Sequence, residues 1–473
     1  MSLPLAAVHQ PLLIAIALAA VVVASSWVAK RSRVPTPVFL VLAGLAVSFV
    51  PGVQEIRLPP DVVFYGFLPP LLYAAAFVVS PREARQNWFS ILVLAVGLTA
   101  ATLVVVGFVG WALIPALGAG GAFLLGAVLG PTDPVSATNV IGETSAPERL
   151  RTILEGESLV NDGVGLVAFS IALTAVESGS FSVAHGLLKF AYVSAGGIAF
   201  GIAVAFVVER IRVQVHDADI EIPLSVLTPY LAYIPADRLH LSGILATVAC
   251  GVYLGWRSGG IFRPAVRLQS IAFWDAFTFI LTAVLFLLLG TQFRPVLNGV
   301  AHASWVDALV IFGVLLVVRM AWMFTVPHLV GRWRDVAPWQ DRFILGWSGM
   351  RGALSLAAAL SIPTAVAQRE DVLFLTFTTI LAGLVVLAIP LPWLLDRLGF
   401  PPGRHSPGES EARERLGRLV PDELRDLDDQ RRLLITAQRE ELARLEDDGT
   451  ISHGTAREIE RRLDLEETAL NPH

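Results

Sequence analysis

The chain has 473 residues, of which 55% are hydrophobic and 16% are charged, and its mean hydropathy is +0.65. This balance excludes an ordinary soluble domain and indicates an integral membrane protein. The net charge of −5 arises in the last 73 residues, which hold 12 basic and 18 acidic residues. The single cysteine, Cys250, excludes an intrachain disulfide framework and a metal site built from cysteines.

Apolar runs of membrane-spanning length, separated by charges, glycine and proline, predict an all-α polytopic protein with about 13 transmembrane segments. The first run, Leu12 to Ala29, is predicted to be a retained span rather than a signal peptide, because no basic residue precedes it and "KRSR" follows it. The predicted segments are centred near Ala20, Leu42, Leu72, Val96, Gly130, Val164, Ala199, Leu227, Ala246, Ala283, Leu315, Leu354 and Ala382.

The basic residues of the loops predict the orientation of the chain. Loops after odd-numbered segments hold 15 Lys and Arg residues, whereas loops after even-numbered segments hold 5. Because basic residues accumulate in cytoplasmic loops, the amino terminus is predicted outside and the carboxyl terminus in the cytoplasm. This bias, together with the absence of a targeting signal, fits a multi-pass protein of a bacterial inner (plasma) membrane.

The fifth segment contains "GPTDPVSATNV", in which a carboxylate, Asp133, lies about 17 Å into a membrane core that is about 30 Å thick. Pro131 and Pro134 cannot bond to the carbonyls of Ala127 and Gly130, so the helix is predicted to be discontinuous there. Freed carbonyls aimed at a cation are a known device of transporters. A simple proline kink is the alternative, but a kink requires neither two prolines nor a carboxylate, and we therefore favour a functional site.

The sixth segment carries a second polar insertion, "GESLVNDGVG". Asp162 is predicted about 18 Å along this helix, which is the same depth as Asp133. Glu157 with Asn161, and Ser158 with Asp162, are each four residues apart and form one polar stripe. Such residues can also act as polar contacts between helices, which is the favoured interpretation for Ser158 alone. Two carboxylates at one depth on adjacent segments favour an ion site.

The twelfth segment, "GWSGMRGALSLAAALSIP", has three glycines around a buried cation, Arg351, and is predicted to be a second discontinuous helix. The two interruptions fall at the fifth position of two sets of six segments, which is the pattern of two inverted repeats with a site at their interface. Arg351 is predicted to bond nearby carbonyls or a carboxylate rather than substrate. Arg319 in the eleventh segment is also deep, and Glu157 is its predicted counter-charge, since unpaired buried charges are costly.

The last part of the chain has a different character and divides the protein into two predicted domains. Residues 1–397 form the transmembrane domain, and residues 398–473 form a cytoplasmic tail. Leu and Ile at helical spacing amid mixed charges predict two amphipathic tail helices joined by a turn at "DDGTIS". A solvated hairpin that aids dimerisation or stability is the favoured interpretation. A ligand sensor is the alternative.

Five motifs, "FLPPLLYAAAF", "GPTDPVSATNV", "GESLVNDGVG", "YIPADRLHLSGILA" and "GWSGMRGALSLA", resemble bacterial sodium/proton exchangers of the first cation/proton antiporter family. The resemblance implies a homodimer that contains a dimerisation domain and a six-helix ion-carrying core. It implies stabilisation of that core by Glu157 with Arg319, and by Arg351. One departure is Ala74, where several relatives carry an acidic residue. The implied ion site comprises Thr132, Asp133, Ser158, Asn161 and Asp162.

Exchange follows from competition for a buried carboxylate, because a proton and a small cation can each neutralise it. Electrogenic members of the resembled family use paired aspartates and a membrane-embedded lysine. Here the pair is Asn161 with Asp162, and the only lysines, Lys30 and Lys189, lie at segment edges, so electroneutral one-for-one exchange is predicted. Na⁺ is the favoured substrate, with Li⁺ and K⁺ as alternatives.

Other function classes receive less support from the sequence. "GWSG" around Ser348 matches a motif of intramembrane serine proteases, but every later histidine lies in the tail. A cation channel is the other alternative, and the paired interruptions favour a carrier. The protein is therefore predicted not to be an enzyme, with no cofactor and no nucleic-acid partner.

Overall fold

The computed structural model describes residues 5–32, 34–49, 59–79, 81–142, 144–179, 183–214, 217–257, 264–300, 302–330, 338–401, 428–451 and 453–470. These residues form helices and connecting turns, with no strand among them, so the predicted all-α class is confirmed. Six of the described helical stretches are long and apolar enough to cross a membrane, and five shorter apolar helices accompany them.

In the described residues of the first half of the chain there are nine α-helices, and the eighth of them carries the second polar insertion. Short π-helical turns at Val62–Phe67 and Val93–Leu98 precede α3 and α5. The bounds are α1 Leu5–Ser32, α2 Thr36–Val47, α3 Leu68–Val78, α4 Pro81–Leu92, α5 Thr99–Leu113, α6 Gly118–Leu129, α7 Val135–Ile141, α8 Glu148–Ser178 and α9 Val183–Arg212.

The second half continues with helices of the transmembrane domain and two helices of the tail. The bounds are α10 Ala218–Arg238, α11 Gly243–Arg257, α12 Pro264–Thr291, α13 Phe293–Gly299, α14 Trp305–Val330, α15 Trp339–Trp347, α16 Ala353–Leu360, α17 Arg369–Gly383, α18 Leu391–Arg397, α19 Asp428–Asp447 and α20 His453–Leu470.

Contacts between helices divide the transmembrane domain into two groups. The first helix group contains α1, α2, α3, α9, α10, α11 and α12, and the second helix group contains α4, α5, α6, α8, α14, α15, α16 and α17. The groups meet where α8 packs against α9 and α11 and where α16 packs against α12. The second polar insertion, on α8, belongs to the second helix group, and the first lies between α6 of that group and α7, which contacts α8.

Small residues allow close backbone approach within the first helix group. A β-carbon added at Gly44 of α2 would overlap the carbonyl oxygen of Leu287 on α12, and one added at Gly290 of α12 would overlap that of Val41. Such contacts are typical of membrane helices, where dispersion and close packing replace the hydrophobic effect as the main attraction. At these two glycines the backbones of α2 and α12 therefore pack directly against each other.

The two predicted interruptions are present as breaks in the helices. The helix α6 ends at Leu129 and α7 begins at Val135, whereas α15 ends at Trp347 and α16 begins at Ala353. Pro134, which has no backbone N–H, lies directly before α7. The predicted depth of about 17 Å puts the start of the fifth segment about 11 residues before Asp133, whereas α6 begins at Gly118, 15 residues before it.

The tail helices α19 and α20 form a hairpin, called here the tail hairpin. Its apolar contact is made by Ile435, Leu442, Leu445, Ile451, Ala456, Ile459 and Leu463. Gly449 turns the chain with a φ of +76°, a conformation that glycine adopts without steric cost. Residues 402–427, which connect the hairpin to α18, lie outside the described residues.

Candidate ion-binding site

The two helix breaks lie side by side and bond to each other through backbone atoms. The N–H of Asp133, between α6 and α7, donates to the carbonyl of Met350, between α15 and α16, at 2.9 Å. In the other direction, the guanidinium Nε of Arg351 donates to the carbonyl of Leu129 at 3.1 Å. Non-helical backbone inside a membrane must find hydrogen-bond partners within the protein. Each break therefore supplies partners for backbone groups of the other.

The Asp133 carboxylate lies against the backbone of the second break. Its Oδ1 accepts a bond from the N–H of Val135 at 3.1 Å. A β-carbon added at Gly352 would overlap Oδ2 of Asp133, so only glycine leaves the carboxylate in this position. The sequence assigned Gly352 only to loosening of the helix, and the structure adds this steric role.

A chain of polar groups joins the first break to α8. The hydroxyl of Thr132 accepts a bond from Nδ2 of Asn161 at 2.8 Å and donates to Oε1 of Glu157 at 3.1 Å. Asn161 is buried, and its Oδ1 has no hydrogen-bond partner among the described residues. The two bonds of the Thr132 hydroxyl hold one face of α8, which carries Glu157 and Asn161, against the break.

Asp162 follows Asn161 on α8 and is near enough to Asp133 for the two carboxylate charges to interact. Both side chains are partly exposed, whereas Glu157 and Asn161 are buried. Within the part of the chain that the structure describes, the Asp162 carboxylate accepts no hydrogen bond. Ser158, one turn earlier, is also partly buried. The predicted site residues on α6–α7 and α8 therefore come together in one region.

The ion pair predicted between Arg319 and Glu157 is present. Nη1 and Nη2 of Arg319 lie 2.5 and 2.8 Å from Oε1 and Oε2 of Glu157, and both side chains are 2% exposed. Arg319 also donates from Nε to the carbonyl of Leu345 at 3.0 Å. This bidentate pair ties α8 to α14 and to the end of α15.

Arg351 bonds two backbone carbonyls, which agrees with the sequence prediction that it bonds nearby carbonyls or a carboxylate. It donates from Nε to Leu129 at 3.1 Å and from Nη1 to Gly349 at 2.5 Å.

A cavity of about 1800 Å³ extends from Asp133 between the two helix groups. Its wall includes Tyr73 and Ala74 of α3, Glu148 of α8 and Arg267 of α12. The departure noted at Ala74 therefore lies on the same cavity as Asp133. Solvent-sized space reaches the candidate site from one side.

The described residues offer little support for a protease or a resident metal centre. The hydroxyl of Ser348 donates to the carbonyl of Ile344 in its own helix at 2.8 Å, which is ordinary helical back-bonding. Across the described part of the chain, no three His, Cys, Asp or Glu residues cluster as metal ligands. The candidate site is instead a pair of carboxylates with amide and carbonyl oxygens nearby.

Comparison with known families identifies the scaffold that holds these groups. The family described as "Sodium/hydrogen exchanger, transmembrane" matches residues 16–397. The chain belongs to the sodium/hydrogen exchanger family. This family consists of membrane-embedded, multi-pass antiporters rather than enzymes, and the resemblance seen in the five sequence motifs is confirmed.

Several curated exchangers are similar over most of this chain. The Na⁺/H⁺ antiporter ApNhaP of Aphanothece halophytica is 31% identical over 372 residues, which cover 78% of this chain and 70% of that protein. The low-affinity Na⁺/H⁺ antiporter NhaS1 of Synechocystis is 31% identical, with 84% and 76% covered. A sodium, potassium, lithium and rubidium/H⁺ antiporter of Bacillus subtilis is 30% identical, and the match spans 77% of this chain and 58% of that antiporter.

A solved exchanger structure has the same fold. The sodium proton antiporter MjNhaP1 of Methanocaldococcus jannaschii, solved at pH 8, superposes with a TM-score of 0.63 at 20% identity. The superposition covers 80% of this chain and 99% of that structure. At this level of identity, the comparison establishes the fold of the exchanger and leaves ion choice to other observations.

Proposed function

We propose that the protein exchanges Na⁺ for H⁺ across a bacterial inner membrane, one for one, and so contributes to pH and sodium homeostasis. The observation that carries this proposal is the pairing of Asp133 and Asp162. These two carboxylates lie near enough for their charges to interact, in a predominantly apolar bundle, and Asp133 lies at a break between helices and lines a cavity. Intramembrane acids are costly to bury, and in transporters they mark ion paths.

In this proposal Asp162 carries either a proton or Na⁺, and Asp133 contributes to the oxygen shell of the cation. Hard cations prefer oxygen ligands, and Ser158 and the unpaired Oδ1 of Asn161 supply neutral oxygens nearby. The Thr132 hydroxyl is already bonded to Asn161 and Glu157, so its side chain acts by positioning the site. Glu157, Arg319 and Arg351 stabilise the ion-carrying core.

Exchange by alternating access requires the occupied site to pass an apolar barrier. Leu245 of α11, in the first helix group, covers the backbone of Gly163, the neighbour of Asp162, so closely that a β-carbon there would overlap the leucine. We propose that this contact is part of the barrier. When the second helix group moves, carrying α8, the site passes Leu245 and opens to the other side of the membrane.

The proposed architecture follows the sequence prediction. It has 13 spans in two inverted repeats, an external amino terminus, a transmembrane antiporter domain at 1–397, and a cytoplasmic tail at 398–473. The second helix group is the ion-carrying core, and the first helix group is the dimerisation domain of a homodimer. The division of helix contacts into two groups supports this assignment.

K⁺/H⁺ exchange is the alternative substrate proposal. The Bacillus subtilis relative is named as an antiporter of potassium, lithium and rubidium as well as sodium. Two carboxylates with neutral oxygens accept any of these ions chemically, and size selection depends on the number and rigidity of the ligands. A channel or an intramembrane protease has less support.

The test uses purified protein in liposomes that contain a pH-sensitive dye, with Na⁺ or K⁺ added outside. Wild-type protein is expected to give a Na⁺-driven pH change, and Asp162→Asn is expected to abolish it. The matched control is Asp219→Asn, because Asp219 is an exposed aspartate at the start of α10. Equal signals from wild type and Asp162→Asn would assign the chemistry elsewhere, and a signal with K⁺ alone would favour the alternative.

A further inference from the structure

The tail hairpin is attached to α12 of the first helix group by a buried cluster of charges. Arg267 of α12 donates from Nε and Nη2 to Oδ2 and Oδ1 of Asp464 at 2.7 and 2.5 Å, and from Nη1 to Glu460 at 2.6 Å. Arg439 of α19 also bonds Asp464, at 2.7 Å. Asp464 is 1% exposed.

This attachment is strong because its geometry is bidentate and its central carboxylate is removed from water. Planar Arg–carboxylate forks are among the stronger side-chain interactions in proteins. Loss of one partner leaves a buried charge without compensation, so such a cluster resists separation. We expect the tail hairpin and α12 to move as one body.

The same hairpin also contacts the second helix group at Gly454, through a bond weaker than those of Arg267. The backbone N–H of Gly454, at the start of α20, donates to Oε1 of Glu148 at 3.0 Å. Glu148 is the first residue of α8, the helix that carries Asp162. A β-carbon at Gly454 would overlap Oε1 of Glu148, so the starts of α20 and α8 are in direct contact. The hairpin therefore spans both helix groups.

The hairpin also forms one wall of the cavity that reaches Asp133. Thr450 and Ile451 from the turn, and His453 and Arg457 from α20, line this cavity together with Asp133 and Glu148. The hairpin contact with α8 therefore lies on the access side of the candidate site. A movement of α8 relative to α12 would change the bond at Gly454, the ion pairs at Arg267, or both.

We propose that the tail hairpin is a clasp that holds the two helix groups in the conformation in which Asp133 is open to the cavity. The clasp stays on α12 and releases α8 in every transport cycle, because the bond from the backbone N–H of Gly454 to Glu148 is weaker than the bidentate bonds of Arg267 to the buried Asp464. This inference rests on the proposed exchange function. It assigns the hairpin a conformational role beyond stability or dimerisation.

The experiment locks the weak contact with a short, reducible bis-methanethiosulfonate cross-linker. Full-length protein carrying Glu148→Cys and Gly454→Cys is reconstituted, cross-linked and assayed for Na⁺-driven pH change, with each single-cysteine variant as a control. The native Cys250 is buried and stays in place. Cross-linking of the double variant is expected to reduce exchange roughly tenfold or more, because the gating movement is blocked, and reductant is expected to restore it.

A second variant tests release rather than locking. Arg267→Gln is expected to raise the maximal exchange rate about twofold or more, since the open conformation loses its support, whereas Arg444→Gln, at an exposed position of α19, is expected to leave it unchanged. Full activity of the cross-linked double variant would overturn the clasp, and so would failure of the two cysteines to cross-link. Silence of the reduced double variant and of wild type together would instead count against the proposed exchange.

Discussion

The backbone N–H of Asp133 bonds the carbonyl of Met350 at 2.9 Å, across 217 residues of sequence, and thereby joins the two helix breaks directly. The proposed ligand Asp133 is consequently held by the second break as well as by its own. A displacement of residues 348–352 is transmitted to the carboxylate through this bond and through the contact with Gly352. Substitutions in the second break should therefore affect ion binding before they affect folding.

The first prediction concerns Gly352→Ala. The added methyl group would overlap Oδ2 of Asp133, so the carboxylate must move away from its position. We expect the apparent KM for Na⁺ to rise by about tenfold, the loss that displacement of one charged ligand gives. Gly313→Ala on α14 is the control, because a β-carbon at that position meets no atom within 4 Å. An unchanged KM in Gly352→Ala would show that the Asp133 position is not important for ion binding.

The second prediction concerns the buried pair of Glu157 with Arg319. Glu157→Gln leaves the Arg319 cation without its counter-charge, which we expect to destabilise the protein by about 3–5 kcal/mol. The exposed pair of Arg151 with Glu155 is the control, and Glu155→Gln is expected to cost about 0–1 kcal/mol. Thermal unfolding in detergent measures both, and the double variant Glu157→Gln with Arg319→Met should recover part of the loss. Equal Tm shifts for the two glutamine variants would contradict this prediction.

The third prediction concerns the barrier contact between Gly163 and Leu245. Gly163→Ala would drive a methyl group into Leu245, so the site should pass the first helix group more slowly. We expect the maximal exchange rate to fall by about tenfold with a smaller change in KM, as for a gating substitution. Gly110→Ala on α5 is the matched control, since its β-carbon would make only ordinary contacts at 3.7 Å. A normal rate in Gly163→Ala would remove this contact from the barrier.

The fourth prediction concerns charge balance. If one Na⁺ exchanges for one H⁺, no net charge crosses, and an imposed membrane potential has no effect on the exchange rate. The measurement uses liposomes with fixed Na⁺ and pH gradients, in which a K⁺ gradient and valinomycin set the potential. A rate that changes with the sign of the potential would contradict electroneutral exchange.

The all-α class, the two helix breaks and the pairing of Glu157 with Arg319 were all predictable from sequence. The class follows from composition, the breaks follow from Gly and Pro, and the pair follows from the cost of leaving two deeply placed charges unpaired. The contact of Gly352 with Asp133 was not predictable, since it depends on the crossing of two segments that are distant in sequence. The attachment of Arg267 to Asp464 was not predictable either, because the two residues are distant in sequence and many other arginines and acids could form such a pair.

Three acids, Asp133, Glu157 and Asp162, lie in the region of the helix breaks, but they are not equally available to a cation. Both oxygens of Glu157 are already occupied, one by Arg319 and Thr132 and the other by Arg319 alone. A cation that approached Glu157 would have to displace a guanidinium. A count of the acidic residues in these segments therefore overestimates the number of carboxylates that are free to bind an ion.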